Sequence, residues 1–185
     1  LFWPILKAAD ALEAPIYLHP TPPHKANIVA SCGDFASLVT DILAGCAWGW
    51  HIETQIHMIR IICGGAFDRL TRLQFAIRHM GEGLPFFFQK FDIQPMSVTE
   101  IDQPIINYLK MNVHNTFSRM NGMAIIHNLY QELGGADRIN FSADYPYQSA
   151  LRARGLLDTI PVNEAQCAYI AHGNTENLPN MDPLP

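Results

Sequence analysis

LQFAIRHMGEGLPF, residues 73–86, carries an apolar run straight into charged and glycine-rich residues. Residues 73–79 read as a strand that ends at His79, and residues 82–91 as the helix after it. Between them Gly81 and Gly83 allow a tight turn, in which His79 and Glu82 approach one site. A carboxylate beside an imidazole orients the ring and raises its basicity. The plainer alternative makes Glu82 a first-turn acid facing the exposed amides of its helix.

The fold follows from asking whether other strands end in the same way. Upstream, residues 2–13 read as a helix, 15–19 as a strand, PTPPHKAN (20–27) as a proline-shaped loop and 34–44 as a helix. GCAWGW (45–50) then connects to a helix over 50–63. Downstream, the segment 82–91 is crowded with Phe86, Phe87, Phe88 and Phe91, a surface suited to packing on a barrel wall or on another subunit. Residues 92–103 read as a loop and 104–109 as a helical turn. The spacing then predicts strands at 109–117 and 138–142, with helices at 123–133, 148–158 and 162–171. Strand and helix alternate four times, which predicts an α/β fold with a parallel sheet and crossover helices. An open doubly wound sheet satisfies the same pattern.

The 185 residues suit one domain, taken as 1–178 with a frayed tail at 179–185, and are too few for eight strand–helix units. The sequence opens on a helix already under way, without a methionine, and this reads as a chain cut from a longer α/β protein. At 49% hydrophobic residues the chain is expected to fold. Twelve basic against 17 acidic side chains give a net charge of −5 and no basic block, so nucleic acid is not an expected partner. No apolar run is long enough for a bilayer and no signal segment stands at the start, which predicts no membrane and a cytoplasmic location. Cys32, Cys46, Cys63 and Cys167 form no CxxC pair and read as buried thiols. No GxGxxG, GxxxxGK[ST] or GxSxG element occurs.

Polar residues gather where the predicted strands end: His19, His79, Asn115 with Thr116, and Asp144. In a parallel α/β fold those ends meet on one face. Two imidazoles and a carboxylate converging there suit a divalent metal such as zinc. His19 reads equally as a hydrogen-bonded strand-end histidine, and Asp144 as a turn cap before Tyr145-Pro146. His24, on the proline-rich loop, either touches substrate or is solvated. Glu53 reads as a pocket-mouth residue and His51 as a cap on it. His57, His114 and His127 read as surface or packed residues, and His172 as part of a helix end.

YLHP (17–20), WGWHIET (48–54), FDRLTRLQFAIRHMGEGLPF (67–86) and DRINFSADYPY (137–147), in that order, resemble the amidohydrolase-related metal-dependent decarboxylases. The nearest type is the γ-resorcylate and 2,3-dihydroxybenzoate group, related to aminocarboxymuconate-semialdehyde decarboxylase. The resemblance implies a distorted (β/α)8 barrel of which this chain supplies the C-terminal half, the last four units. It implies that His19 and Asp144 are metal ligands, with zinc foremost and manganese as alternative. His79 and Glu82 become a catalytic pair beside the metal, and Asp144 the group that helps protonate the ring. Glu53 matches a rim position. The implied reaction is nonoxidative decarboxylation of a hydroxylated aromatic carboxylic acid by a homo-oligomer. The alternatives are a metal-dependent hydrolase of an amide or lactone, and an inactive truncated member. On this reading activity awaits an N-terminal half, because the first-strand ExH or HxH motif is absent. Three further departures accompany the resemblance. Arg78 stands where the family usually has glycine, NTFSRM (115–120) replaces a Thr-Ser-Gly-like strand end, and Lys90 takes a place often held by arginine.

Overall fold

The computed structural model describes residues 2–93, 100–120 and 122–178. The expected tail at 179–185 and half of the expected 92–103 loop, residues 94–99, lie outside them. Helix α1 (Trp3–Leu12) carries proline in its first turn, where a missing N–H costs nothing, and closes at Glu13 in a left-handed conformation. It feeds β1 (Ile16–Leu18). The proline-rich loop is shorter than expected, because His24 caps a helix: its Nδ1 accepts the Ala26 N–H at 3.2 Å, and α2 runs Lys25–Cys32. Helix α3 (Ser37–Ile42) continues into a wide turn over Leu43–Ala47, which leads to α4 (Gly49–Cys63) and α5 (Ala66–Arg69).

Strand β2 (Phe75–Ile77) is buried throughout, as a parallel strand covered on both faces must be. The helix expected over 82–91 does not form as one piece. Residues 79–83 turn left-handed, and only Phe88–Ile93 is α-helical, as α6. Gly81 and Gly83 permit the left-handed turn, Pro85 interrupts an α-helix at that point, and neighbours outside the segment hold the run in place. Helix α7 (Ile105–Asn112) takes over the start of the strand expected at 109–117, because Ile106 and Leu109, one turn apart, both bury against the core. Strand β3 is therefore Val113–Thr116. Then follow α8 (Met123–Leu133), β4 (Ile139–Asn140), α9 (Ala150–Leu157), α10 (Glu164–Ala168) and α11 (Asn174–Glu176).

The four strands lie in the order β1-β2-β3-β4, all parallel, with Ile16 beside Phe75, Phe75 beside Val113 and Asn115 beside Ile139. A doubly wound sheet reverses its strand order at a switch point. This one never reverses, so each crossover repeats the last, as in a barrel wall. One apolar cluster packs Met58, Ile62, Phe67, Phe75 and Leu109 beneath the first three strands. A second packs Phe117, Ile126, Leu129, Ile139 and Ile170 around the last. Among the thiols, Cys32 is buried as expected, Cys167 is half-buried, and Cys46 and Cys63 are exposed, which corrects the reading of four buried cysteines. No single helix among the described residues is long and apolar enough to cross a membrane.

Candidate active site

Because all strands run the same way, their C-terminal ends open on one face. The exit of β2 organises it. His79, Met80, Gly81, Glu82 and Gly83 have φ of 50°, 52°, 80°, 57° and 93°, a run of five left-handed residues. Non-glycine residues pay roughly 1–2 kcal/mol each for that conformation. The surroundings hold it: the Gly81 N–H donates to the Arg78 carbonyl at 3.0 Å, and Gln55 Nε2 on α4 donates to the Glu82 carbonyl at 2.5 Å. A side chain at Gly81 would meet Asn115 Oδ1 at 2.7 Å and the Pro85 ring at 3.0 Å, so only glycine fits.

The tight turn aims His79 and Glu82 inward together. His79 Nδ1 donates to Glu82 Oε1 at 2.7 Å, and His51 Nδ1, from α4, donates to Glu82 Oε2. Glu82 is buried at 2% exposure, with both carboxylate oxygens engaged. The hydrogen bond to Glu82 is the main reason the His51 pKa lies above its ordinary value; burial opposes it, while the Glu82 charge and the Cys46 carbonyl add to it. The two imidazoles meet edge to face at 5.0 Å. His51, His79 and Glu82 offer donor atoms that all lie within 4.8 Å of one another, the one such group among the described residues. Two nitrogens and one carboxylate oxygen fit a divalent metal.

His19 and Asp144 reach the same face without joining that group. His19 Nδ1 donates to the Pro20 carbonyl at 2.7 Å, and its Nε2 accepts from Arg78 Nη1 at 2.5 Å. Asp144 pairs with the other arm of the Arg78 guanidinium. The residues expected to hold metal together thus hold an arginine between them. All of these side chains except Glu82 line one cavity of about 610 Å³, whose other walls include Trp50, Arg119, Met120 and Tyr147. His24 and Glu53 do not line it: His24 caps α2, and Glu53 pairs with His57 at 3.0 Å on α4.

Sequence reasoning underrated His51 as a cap. Its partner lies 31 residues away on another element, and no local pattern marks the pair. A chain of hydroxyls also went unseen: Tyr17 to Thr116 at 3.0 Å, Thr116 to Ser118 at 2.8 Å and Ser118 to Ser142 at 2.7 Å tie β1, β3 and the exit of β4 together. At the opposite end of the sheet a larger depression of about 790 Å³ is lined by Arg72, Gln74, His114, Asp137 and Arg138 among others. There Arg138 donates to His114 Nε2 at 2.6 Å and His114 Nδ1 donates to Asn140 at 3.0 Å, a neutral histidine locked in place.

Comparison with known proteins agrees with this architecture. A family model described as amidohydrolase matches residues 1–178. The γ-resorcylate decarboxylase of Polaromonas sp. strain JS666 is 30% identical over 182 residues, covering 96% of this chain and 54% of that protein. Decarboxylase orsB of Emericella nidulans is 32% identical over 188 residues, covering 92% of this chain and 53% of that protein. The crystal structure of a dihydroxybenzoic acid decarboxylase from Polaromonas sp. JS666, with bound manganese and the inhibitor 2-nitroresorcinol, superimposes with a TM-score of 0.85 at 29% identity. It covers 96% of this chain and 53% of that one.

Two expectations are corrected. The likeness was expected for a C-terminal half only, whereas the family match and the structural match run over nearly the whole chain. Activity was expected to await a missing N-terminal half, whereas the metal-donor group and the cavity beside it are built from residues of this chain. The chain spans about half the length of the curated relatives it matches, 54% and 53%. With the family model matched from residue 1 to residue 178 and the fold reproduced, the chain belongs to the amidohydrolase family.

Proposed function

We propose that this chain carries the site of a metal-dependent, nonoxidative decarboxylase acting on a hydroxylated aromatic carboxylic acid. The observation that carries the reading is one cavity that joins apolar walls, Trp50, Met120 and Tyr147, to the cations Arg78 and Arg119 and to the imidazoles of the metal-donor group. A hydroxybenzoate has the matching form, an apolar ring with an anionic head. Its relatives named for γ-resorcylate and dihydroxybenzoic acid support the same substrate class.

His51, His79 and Glu82 would hold the metal, which supplies, when bound, a fixed positive charge that orients carboxylate and hydroxyl and stabilises charge on the ring. Manganese is favoured over zinc, because the similar decarboxylase structure was obtained with manganese. Arg119 draws in the carboxylate, and the apolar walls exclude water from the ring. The bond between ring carbon and carboxylate breaks, its electron pair stays on the ring carbon, carbon dioxide leaves and a proton takes its place. That proton comes from water and is relayed to the ring carbon by way of the Asp144 carboxylate at the cavity wall, while His79 and Glu82 hold the adjoining hydrogen-bond network. Phe86 and Phe87, 61% and 50% exposed, provide the contact through which copies of the chain assemble.

The test is release of labelled carbon dioxide from carboxyl-labelled 2,6-dihydroxybenzoate with Mn²⁺, beside Glu82→Gln and Asp144→Asn. Release that falls about 100-fold or more in both variants is expected. A protein that binds Mn²⁺ and the benzoate yet releases no carbon dioxide would sink the proposal.

A further inference from the structure

Arg78 leaves β2 in extended backbone, with φ −83° and ψ 179°, and its side chain is only 12% exposed. Its two terminal nitrogens are spent on His19 Nε2 and on Asp144, while its buried Nε has no partner among the described residues. Burial therefore does not satisfy this guanidinium as a whole; the two contacts hold it. His19 is set for them. Because its Nδ1 proton goes to the Pro20 carbonyl, the Nε2 lone pair must face inward, the arrangement a metal-binding histidine adopts. A lone pair and a carboxylate oxygen therefore face one another across a cation, and that cation is part of the chain.

We propose that Arg78 is a tethered cation that closes the His19–Asp144 pair to divalent metal, leaving His51, His79 and Glu82 as the metal site of this chain. The exchange changes what the position can do. A divalent ion has open coordination places and lowers the pKa of bound water, whereas a guanidinium offers only N–H donors and one fixed charge. It steadies the Asp144 carboxylate and generates no hydroxide, so metal-assisted attack of water at His19 and Asp144 is lost. The inference deepens the proposed decarboxylase site and rests on that reading for the metal group. The closing experiment reads metal binding without turnover, so the two fail separately.

Mn²⁺ binding to the full chain is measured by equilibrium dialysis, with the electron spin resonance signal of free Mn²⁺ as a second readout. His19→Ala, with Arg78 in place, is expected to keep the Mn²⁺ stoichiometry and to change affinity by less than about twofold. Arg78→Gly is expected to gain one further Mn²⁺ per chain, and Arg78→Gly with His19→Ala to lose it again. A loss of affinity of about tenfold or more in His19→Ala, the size expected for a ligand or its close support, would overturn the proposal. A folded Arg78→Gly that gains no metal would overturn it as well. Should Arg78→Gly fail to fold, the His19→Ala arm decides alone, since it leaves the arginine in its native place.

Discussion

At the scale of single residues, partners decide what each histidine is. His51 sits against Glu82 and its pKa is raised; His114 sits against Arg138 and its pKa is lowered to about 4, first by burial and then by the arginine charge. The sign for His114 follows directly. Its folded pKa lies below the ordinary 6.5, so the unfolded chain binds the proton more readily, and stability present above pH 6.5 is lost as pH falls toward 4. The loss amounts to about 3 kcal/mol. Urea unfolding at pH 7 and pH 4 is expected to show it, and His114→Gln to remove about that much of the pH dependence while lowering stability at pH 7. An unchanged pH dependence in the variant would assign the acid sensitivity elsewhere. His114 was read from sequence as an ordinary packed residue, because its partners Arg138 and Asn140 come from the β4 segment, 24 and 26 residues away.

At the scale of elements, the exit of β2 matters most. The mostly apolar residues 73–77 announce the strand and two glycines announce a turn, so the sequence shows where the element stops. It does not show that five consecutive residues turn left-handed, because His79, Met80 and Glu82 have no intrinsic preference for that region. Asn115, Pro85 and Gln55 impose it from outside the segment. Gly81→Ala is therefore expected to lower stability by at least about 2 kcal/mol, the left-handed penalty plus the clash with Asn115. Gly134, which ends α8 at φ 80° with nothing within 4 Å of an added Cβ, should lose only about 1 kcal/mol on the same change. Chemical unfolding of the two variants side by side measures the difference, and equal losses would mean that Asn115 yields freely.

At the scale of the whole molecule, the sequential parallel sheet sends every strand end to one face, and this makes a site from residues far apart in the chain. The same architecture leaves apolar side chains outside. Phe86 and Phe87 stand exposed beside Phe88, which is buried. Full burial of a phenylalanine side chain contributes about 1.5–3 kcal/mol, and roughly half of that remains for rings already half covered. Replacing both with serine is expected to shift sedimentation toward the smaller species at micromolar concentration, with the circular dichroism unchanged. An unaltered distribution would remove this surface as the contact between copies.

The sequence by itself determined the alternation of strand and helix, the family likeness through HMGE and FSADYPY, and the rule that polar residues gather at strand ends. Each is a local or ordered feature of the chain, written in hydrophobic period, turn residues and motif. The tertiary structure decided the partnerships: that Glu82 takes His51 as well as His79, and that Arg78 stands between His19 and Asp144. Arg78 was visible in sequence as a departure, yet which side chains its guanidinium reaches depends on how β2 lies beside β1 and on where the chain turns after β4. Hydrogen-bond partners are fixed by distances of a few ångströms between residues 31 to 66 positions apart, and only the folded sheet sets those distances.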